Sequence, residues 1–490
     1  MNSQTQALPM SKTFSFQALA KKAVLAKLNA LHTGQLVIKD GSEQHVFGVP
    51  GDSKLVAEMH VQDHACYVDI MTGGSIGAAE SFMTGDWTTP DLAMLIRLMV
   101  RNMDILDGME GGFAKLSKPM LKLVHRFNQN TVKGSKRNIA AHYDLGNDFF
   151  QHLLDPTMSY SAGLFADDDT TLEASQHAKN DRLLNKLDLQ STDHLLEIGT
   201  GWGGLALRAV KTTGCRVTTT TLSQQQHDYA AALFEREGVA DRIDLLQRDY
   251  RDLDGRYDKI ISVEMIEAVG HHYYRAFFTA CDRLLADHGR ARGVIQCITI
   301  PDDRYDSARK TVDFIKQYIF PGSCIPSLAA LNRAMADAGP LRMTGLDDLT
   351  PHYATTLDRW RQNMDANRDA IHALGYPDTL LRLWAFYLAY CEGGVLHCQR
   401  GRAVAYDNHG KVIKKFKGNG GNGLHQQNFI DAVRKNDPSS LNTPIEVGHH
   451  STGWCNLANI AFKTGKDYSA KDAMALDLPQ WNELNQFMTK

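Results

Sequence analysis

The sequence predicts an α/β fold, a doubly wound parallel sheet, on three observations. An apolar run, Leu195-Leu196-Glu197-Ile198, ends in a glycine turn, Gly199-Thr200-Gly201-Trp202-Gly203-Gly204. A helix pattern, Leu205-Ala206-Leu207-Arg208-Ala209-Val210, follows at once. Beyond it, strand and helix patterns alternate to about residue 300. Strand, glycine turn and helix are the first unit of a nucleotide-type sheet. Glycine permits backbone angles that side chains forbid, and it removes the Cβ where a ligand sits close. The spacing from Glu197 is E-x-G-x-G-x-G, not the dinucleotide G-x-G-x-x-G, and favours S-adenosylmethionine over NAD.

The totals set bounds. A chain of 490 residues predicts two to four domains. Hydrophobic content of 43%, charge of 22% and a net charge of -3 are ordinary globular values and give no global reason to expect nucleic acid. The eight cysteines form no C-x-x-C pair, so no metal site and no disulfide framework is expected. No apolar run reaches the length of a membrane span, and the N-terminus lacks a secretory pattern. A cytoplasmic protein, peripheral at the inner membrane, is the expectation.

In chain order, residues 14–31 show helical spacing of Phe16, Leu19, Ala20, Ala23, Val24 and Leu28, with lysines elsewhere. This suits a core-packed amphipathic helix or an interfacial one. Short strands are expected at 34–38, 45–48 and 65–70, parted by turns such as Asp40-Gly41. Gly73-Gly74-Ser75-Ile76-Gly77 leads into a helix. Together these give an α+β accessory domain, assigned to residues 1–135. Its end, 115–137, interleaves seven basic residues with apolar ones and suits an anionic bilayer or a solvated helix face. Residues 142–150 and 154–165 are dense in aromatics and short polar groups without a period, which suggests a lid over a cofactor. The sheet domain spans 136–394. After the glycine turn its strands are expected at 215–222, 243–246, 257–263 and 294–300. The last starts at Val294, because Arg290 and Arg292 would be costly inside a buried strand. Ligands in such sheets sit beyond the carboxyl ends of the strands. That puts Gly199, Gly201, Gly203, Thr221, Gln226, Asp249, Tyr250, Glu267 and Gln296 on one rim.

These residues resemble one family, the cyclopropane-fatty-acyl-phospholipid synthases and their mycolic-acid relatives. The likeness rests on residues 142–150, 158–162, 196–204, 214–226, Asp249-Tyr250-Arg251, Glu264-Met265-Ile266-Glu267-Ala268-Val269-Gly270, 313–327 and 384–394, in family order. It implies a class I methyltransferase (Rossmann-like) sheet using S-adenosylmethionine. The alkene of an unsaturated phospholipid acyl chain takes the sulfonium methyl, and proton loss from the new methyl closes a cyclopropane. Carried over by position, the resemblance implies that Tyr160 and Ser161 cover the cofactor. Glu197, Gly199, Gly201 and Gly203 would lie under it, Thr221 and Gln226 by the ribose, and Asp249 and Tyr250 by the adenine. It also implies a bicarbonate ion as proton acceptor, in a pocket matched here by Glu267 and Tyr353. Ala162 stands where a cysteine is expected and Gln296 where a histidine is expected. Alanine's side chain cannot hydrogen-bond and glutamine is neutral at every pH. Cys391 matches a cysteine sometimes treated as catalytic, and reads here as a wall residue, since no step needs a thiolate. A methylene- or methyl-branched product, a soluble acceptor, or an inactive lipid-binding chain stay open. The partner expected is a phospholipid membrane surface; homodimer formation is left open.

Residues 395–490 depart from that pattern. They resemble the C-terminal part of glucose–fructose oxidoreductase and inositol dehydrogenase-type proteins, without the NAD unit such proteins need. Gly418-Asn419-Gly420-Gly421-Asn422-Gly423 is no phosphate loop, since no Gly-Lys-Ser/Thr ends it, and His449-His450 has no further ligand pattern for a metal. This atypical tail is expected to add no chemistry.

Overall fold

The computed structural model describes residues 11–50, 55–105, 145–395, 402–406 and 412–417. The basic stretch 115–137, the start of the aromatic run at His142-Tyr143, and the tail motifs at 418–423 and His449-His450 lie outside the described residues. By backbone contacts the chain divides into Met1–Cys398 and Gln399–Lys490. In the second unit, β10 (Arg402–Tyr406) and β11 (Val412–Lys417), numbered after the nine strands below, form an antiparallel hairpin.

The N-terminal part begins with α1 (Ser11–Leu28), which buries Ala20, Val24 and Leu28 at four-residue spacing. β1 (Gly34–Asp40) alternates buried and exposed residues and pairs antiparallel with β2 (Glu43–Val49) through the Asp40-Gly41 turn. β3 (Val56–Val61) runs parallel to β1. α2 (Ala65–Thr84) follows, and β4 (Trp87–Thr88) closes a sheet of order β2-β1-β3-β4. α3 (Leu92–Val100) is capped by Asp91, whose side chain accepts from the Met94 N–H. Residues 65–70 are therefore helical and not the expected strand. Asp63 accepts from the Ala65 N–H to start the turn, and Cys66, Tyr67, Ile70, Gly74 and Gly77 bury one helical face. The glycines do not precede the helix but kink it: Gly74 has φ 60, and a Cβ on Gly77 would lie 1.9 Å from the Asp69 carbonyl.

The main part begins with α4 (Gly146–Leu153), where an irregular lid was expected. Its Phe149 and Phe150 wedge against Trp384 and Trp202, with ring centroids 5.0 and 4.9 Å apart. Residues 154–165 are irregular, and α5 (Leu172–Leu187) leads into the sheet. The sheet order is β7-β6-β5-β8-β9, all parallel. Its elements in sequence are β5 (His194–Ile198), α6 (Gly204–Thr213), β6 (Arg216–Thr220), α7 (Gln224–Arg236), β7 (Ile243–Leu246), β8 (Lys259–Val263), α8 (Ile266–Val269), α9 (Tyr274–Leu284) and β9 (Arg292–Gln296). Both faces are buried: Leu195, Val217 and Ile261 meet Leu187, Ala206 and Phe234, while Leu196, Ile198 and Ile260 meet Tyr250 and Phe277. That is why these strands read as apolar runs. β9 starts at Arg292, two residues earlier than expected. Among the described residues it is the sheet edge, and Arg292 and Gly293 are exposed there, so no charge is buried.

Beyond β9, the chain builds a helical cap from α10 (Asp302–Ala308), a π-helical turn at Ile315–Ile319, α11 (Leu328–Ala338), α12 (Thr350–Ala366), α13 (Arg368–Ala373) and α14 (Asp378–Val395). α14 also holds the N-terminal part. Arg382 donates to the carbonyls of Phe82 (2.6 Å) and Trp87 (3.0 Å) and lies over the Phe82 ring. Gly393 lets the helix approach Ile96, where a Cβ would lie 2.7 Å from a side-chain carbon.

Candidate active site

One cavity lies between the carboxyl ends of β5–β8 and the helical cap. Its sheet side is a polar rim. From β5 come Glu197 and the turn residues Gly199, Gly201 and Trp202. Gly199 and Gly201 have φ of 103° and 53°, and a Cβ on Gly201 would meet nothing within 4 Å. Gly203, by contrast, does not line the cavity. Its φ is 91°, and a Cβ there would lie 2.8 Å from the Phe234 ring, so it serves packing of the sheet against α7. Thr221 follows β6 and Gln226 comes from the first turn of α7; the two are joined by a 2.9 Å hydrogen bond from the Thr221 hydroxyl. After β7 come Asp249 and Tyr250. Asp249 is paired with Arg251 at 2.6 Å, and the buried Tyr250 Oη has no hydrogen-bond partner among the described residues. Tyr160 and Ser161 reach the cavity from the irregular segment above.

Lys179, which sequence reasoning missed, joins this rim from α5. Its Nζ donates to Ser161 Oγ at 2.9 Å, and burial pushes its pKa down to about 8. Glu197 accepts from Thr219 Oγ1 at 2.6 Å, and burial pushes its carboxyl up to about 8. Nothing in the local sequence marks Lys179, since a lysine on a helix face is usually solvated.

The inner end is apolar and aromatic, with Ile298, Ile315, Phe320, Trp360 and Tyr387 in its wall. Tyr160 and Tyr387 share a hydroxyl–hydroxyl bond of 3.0 Å, and the Tyr160 and Trp360 rings lie 5.1 Å apart. Set into this wall are Glu267, Tyr353 and Cys391. Glu267 Oε1 accepts from the Ile298 N–H, while its buried Oε2 has no hydrogen-bond partner among the described residues. Burial, and then the charge of Glu264, push Glu267 up to about 8. Burial raises the Tyr353 hydroxyl well above its ordinary range and raises the Cys391 thiol likewise, which suits wall residues rather than nucleophiles. Gln296 does not line the cavity. Its Nε2 donates to Glu264 Oε1 at 2.9 Å and to the Ala162 carbonyl at 3.2 Å. Ala162 gives its own N–H to the same Glu264 oxygen at 2.9 Å. Glu264 thus joins the cavity as a second carboxylate, at φ 48. Its signal in the sequence was an acidic residue three positions before Glu267, at the end of a strand.

The family description "Mycolic acid cyclopropane synthetase" matches residues 130–398, over half of the chain. The chain belongs to the mycolic acid cyclopropane synthetase family. Among its relatives, "Tuberculostearic acid methyltransferase UfaA1" of Mycobacterium tuberculosis is 37% identical over 66% of this chain and 76% of that protein. "Cyclopropane-fatty-acyl-phospholipid synthase" of Escherichia coli K12 is 32% identical over 71% of this chain and 86% of that protein. The solved cyclopropane synthase MmaA2 of Mycobacterium tuberculosis is 29% identical, with a TM-score of 0.48 over 53% of this chain and 92% of that one. The chain is an S-adenosylmethionine-dependent methyltransferase of the class I fold. The likeness expected for residues 395–490 stays an expectation, since the family match ends at 398.

The rim of this methyltransferase fits its cofactor. Gly201 leaves open space where a side chain would stand, Glu197 and Lys179 offer polar groups, and Tyr250 Oη, without a hydrogen-bond partner among the described residues, is one that a polar ligand edge would satisfy. Bicarbonate does not fit. The backbone donor at Ala162 and the amide of Gln296 are already engaged with Glu264. An added anion would also face the Glu264 carboxylate.

Proposed function

We propose that the protein transfers the sulfonium methyl of S-adenosylmethionine to the double bond of an unsaturated acyl chain carried on a phospholipid. The observation that carries this reading is the single cavity joining a polar, glycine-floored rim to an aromatic, apolar inner end. When bound, the cofactor supplies an electrophilic methyl. The chain's own residues do the rest. A weak π nucleophile gains rate chiefly from being held in line, and the wall of Ile298, Ile315, Phe320 and Trp360 suits an alkyl chain. Tyr160, Trp360 and Tyr387 put aromatic rings, and Glu264 a carboxylate, in the wall around a developing carbocation. The same packing keeps water from trapping that cation.

Ring closure to a cyclopropane is the leading outcome. A methylene- or methyl-branched product is the second reading, favoured by Ala162 and Gln296 and by the printed name of the 37% identical relative. Access to lipid from a membrane surface is supported by exposed Phe16 and Leu19 on α1, next to lysines. Among the described residues, no helix is long and apolar enough to cross a membrane. The test supplies methyl-labelled cofactor and vesicles of monounsaturated or fully saturated phosphatidylethanolamine. Label should enter extracted lipid only with the unsaturated vesicles; gas chromatography with mass spectrometry then separates the cyclopropane from its methylene isomer, and the methyl-branched product, two hydrogens heavier, requires an added hydride donor. Cofactor binding without any label in lipid would overturn the substrate assignment.

A further inference from the structure

We infer that Glu264 is the resident proton acceptor of the reaction, so that this enzyme needs no exogenous base such as bicarbonate. The inference rests on the acyl-chain reading above.

The geometry singles out one oxygen pair. Glu264 Oε1 is pinned by two donors, the Ala162 N–H and Gln296 Nε2, both at 2.9 Å. Among the described residues, Oε2 makes no hydrogen bond, and Glu264 lines the cavity beside Tyr353 and Cys391. The residue sits in the left-handed backbone region at φ 48, which an L side chain adopts at a cost, at the carboxyl end of β8. A position held by strain and by two donors orients a carboxylate; it does not merely fill space. The small side chain of Ala162 adds no group of its own, and Gln296 is occupied in holding Glu264.

Glu267 is the weaker candidate of the two. Its free oxygen is buried, and it receives one backbone donor. With two neighbouring carboxylates, one proton stays on the pair. Glu264 accepts two donors where Glu267 accepts one, so the proton stays on Glu267. Burial raises both carboxyls, and at Glu264 the two donors and the Lys179 charge oppose it and favour the ionised form.

The step balances without a further reagent. The alkene electron pair forms the bond to the methyl carbon as the sulfur–carbon bond breaks, leaving S-adenosylhomocysteine and a cation on the neighbouring carbon. Glu264 Oε2 then takes a proton from the new methyl. The released C–H pair closes the three-membered ring, or, after a hydride shift, forms an exocyclic double bond. The proton leaves to solvent after product release.

The experiment compares the full-length wild type with Glu264→Gln in carbonate-free buffer and in buffer with added bicarbonate. Glutamine still accepts from Ala162 and Gln296, so the site stays assembled. Wild-type turnover should change less than about twofold with bicarbonate, while Glu264→Gln should lose about 100-fold or more. Its cofactor affinity by calorimetry should stay within about threefold of wild type, and added bicarbonate should not restore the rate. Wild-type turnover that collapses without bicarbonate, a Glu264→Gln variant of near-normal rate, or one that no longer binds cofactor would each overturn the inference. A wild type that binds cofactor yet labels no lipid in either buffer strikes the acyl-chain reading instead.

Discussion

Replacing Gly203 by alanine should damage the fold and spare the cofactor site, and replacing Gly201 should do the reverse. At Gly203 the backbone has φ 91, and the new Cβ would lie 2.8 Å from two carbons of the Phe234 ring and 3.1 Å from the Ala230 Cβ. Phe234 is 2% exposed, so its ring has nowhere to swing. The left-handed backbone costs about 1–2 kcal/mol with a side chain. The collision adds about 1–3 kcal/mol as overpacking. The sum, about 2–5 kcal/mol, is a large share of a domain's stability. At Gly201 only the backbone contribution applies, because nothing lies within 4 Å of the added Cβ, but the methyl would project into the cavity. The assay is paired: urea denaturation for stability, and calorimetric titration with S-adenosylhomocysteine on folded protein. Gly203→Ala should lower the urea midpoint clearly and leave affinity within about threefold; Gly201→Ala should weaken binding about tenfold or more with a small midpoint change. Equal behaviour of the two variants, or tenfold weaker binding by well-folded Gly203→Ala, would refute the separation of packing from binding glycines.

Two further outcomes follow from the buried titratable groups. Glu267 has a folded pKa of about 8 against an ordinary 4.5; the folded state holds its proton more tightly, so this group's contribution to stability falls as pH rises between those values. Glu267→Gln removes that titration, so its stability relative to wild type should improve by about a few kcal/mol from pH 5 to pH 8.5, read from urea midpoints at both pH values; an unchanged gap would show that the carboxyl is not held protonated. Cys391→Ala should keep turnover within about threefold, and the wild-type thiol should resist maleimide at neutral pH, because burial holds it in the unreactive protonated form; rapid labelling with loss of activity would give the thiol a direct part.

Much of the sheet was legible before any coordinates. Strands buried on both faces carry their apolar content locally, as Leu195, Leu196 and Ile198 do, and the turn that follows needs glycines wherever the backbone takes positive φ. The accessory region was less legible. Residues 65–70 read as a strand by side-chain type, yet the helix is set by the Asp63 turn and by partners beyond residue 380. The glycine spacing likewise gave no sign that Gly203 supports Phe234 rather than a ligand, because that contact joins residues thirty-one positions apart.

The sequence by itself determined the alternation of strands and helices in the parallel sheet, the glycine-floored rim and the chemistry of the residues around it, since these depend on local apolar runs and on side-chain type. Only the tertiary structure decided which carboxylate is held ready. Ala162, Glu264 and Gln296 come from three separate stretches, and their meeting at one oxygen is a matter of sheet register and cap packing. Hydrogen bonds over such separations leave no periodicity in the chain, and the burial that sets the ionisation of Lys179, Glu197 and Glu267 exists only in the folded packing.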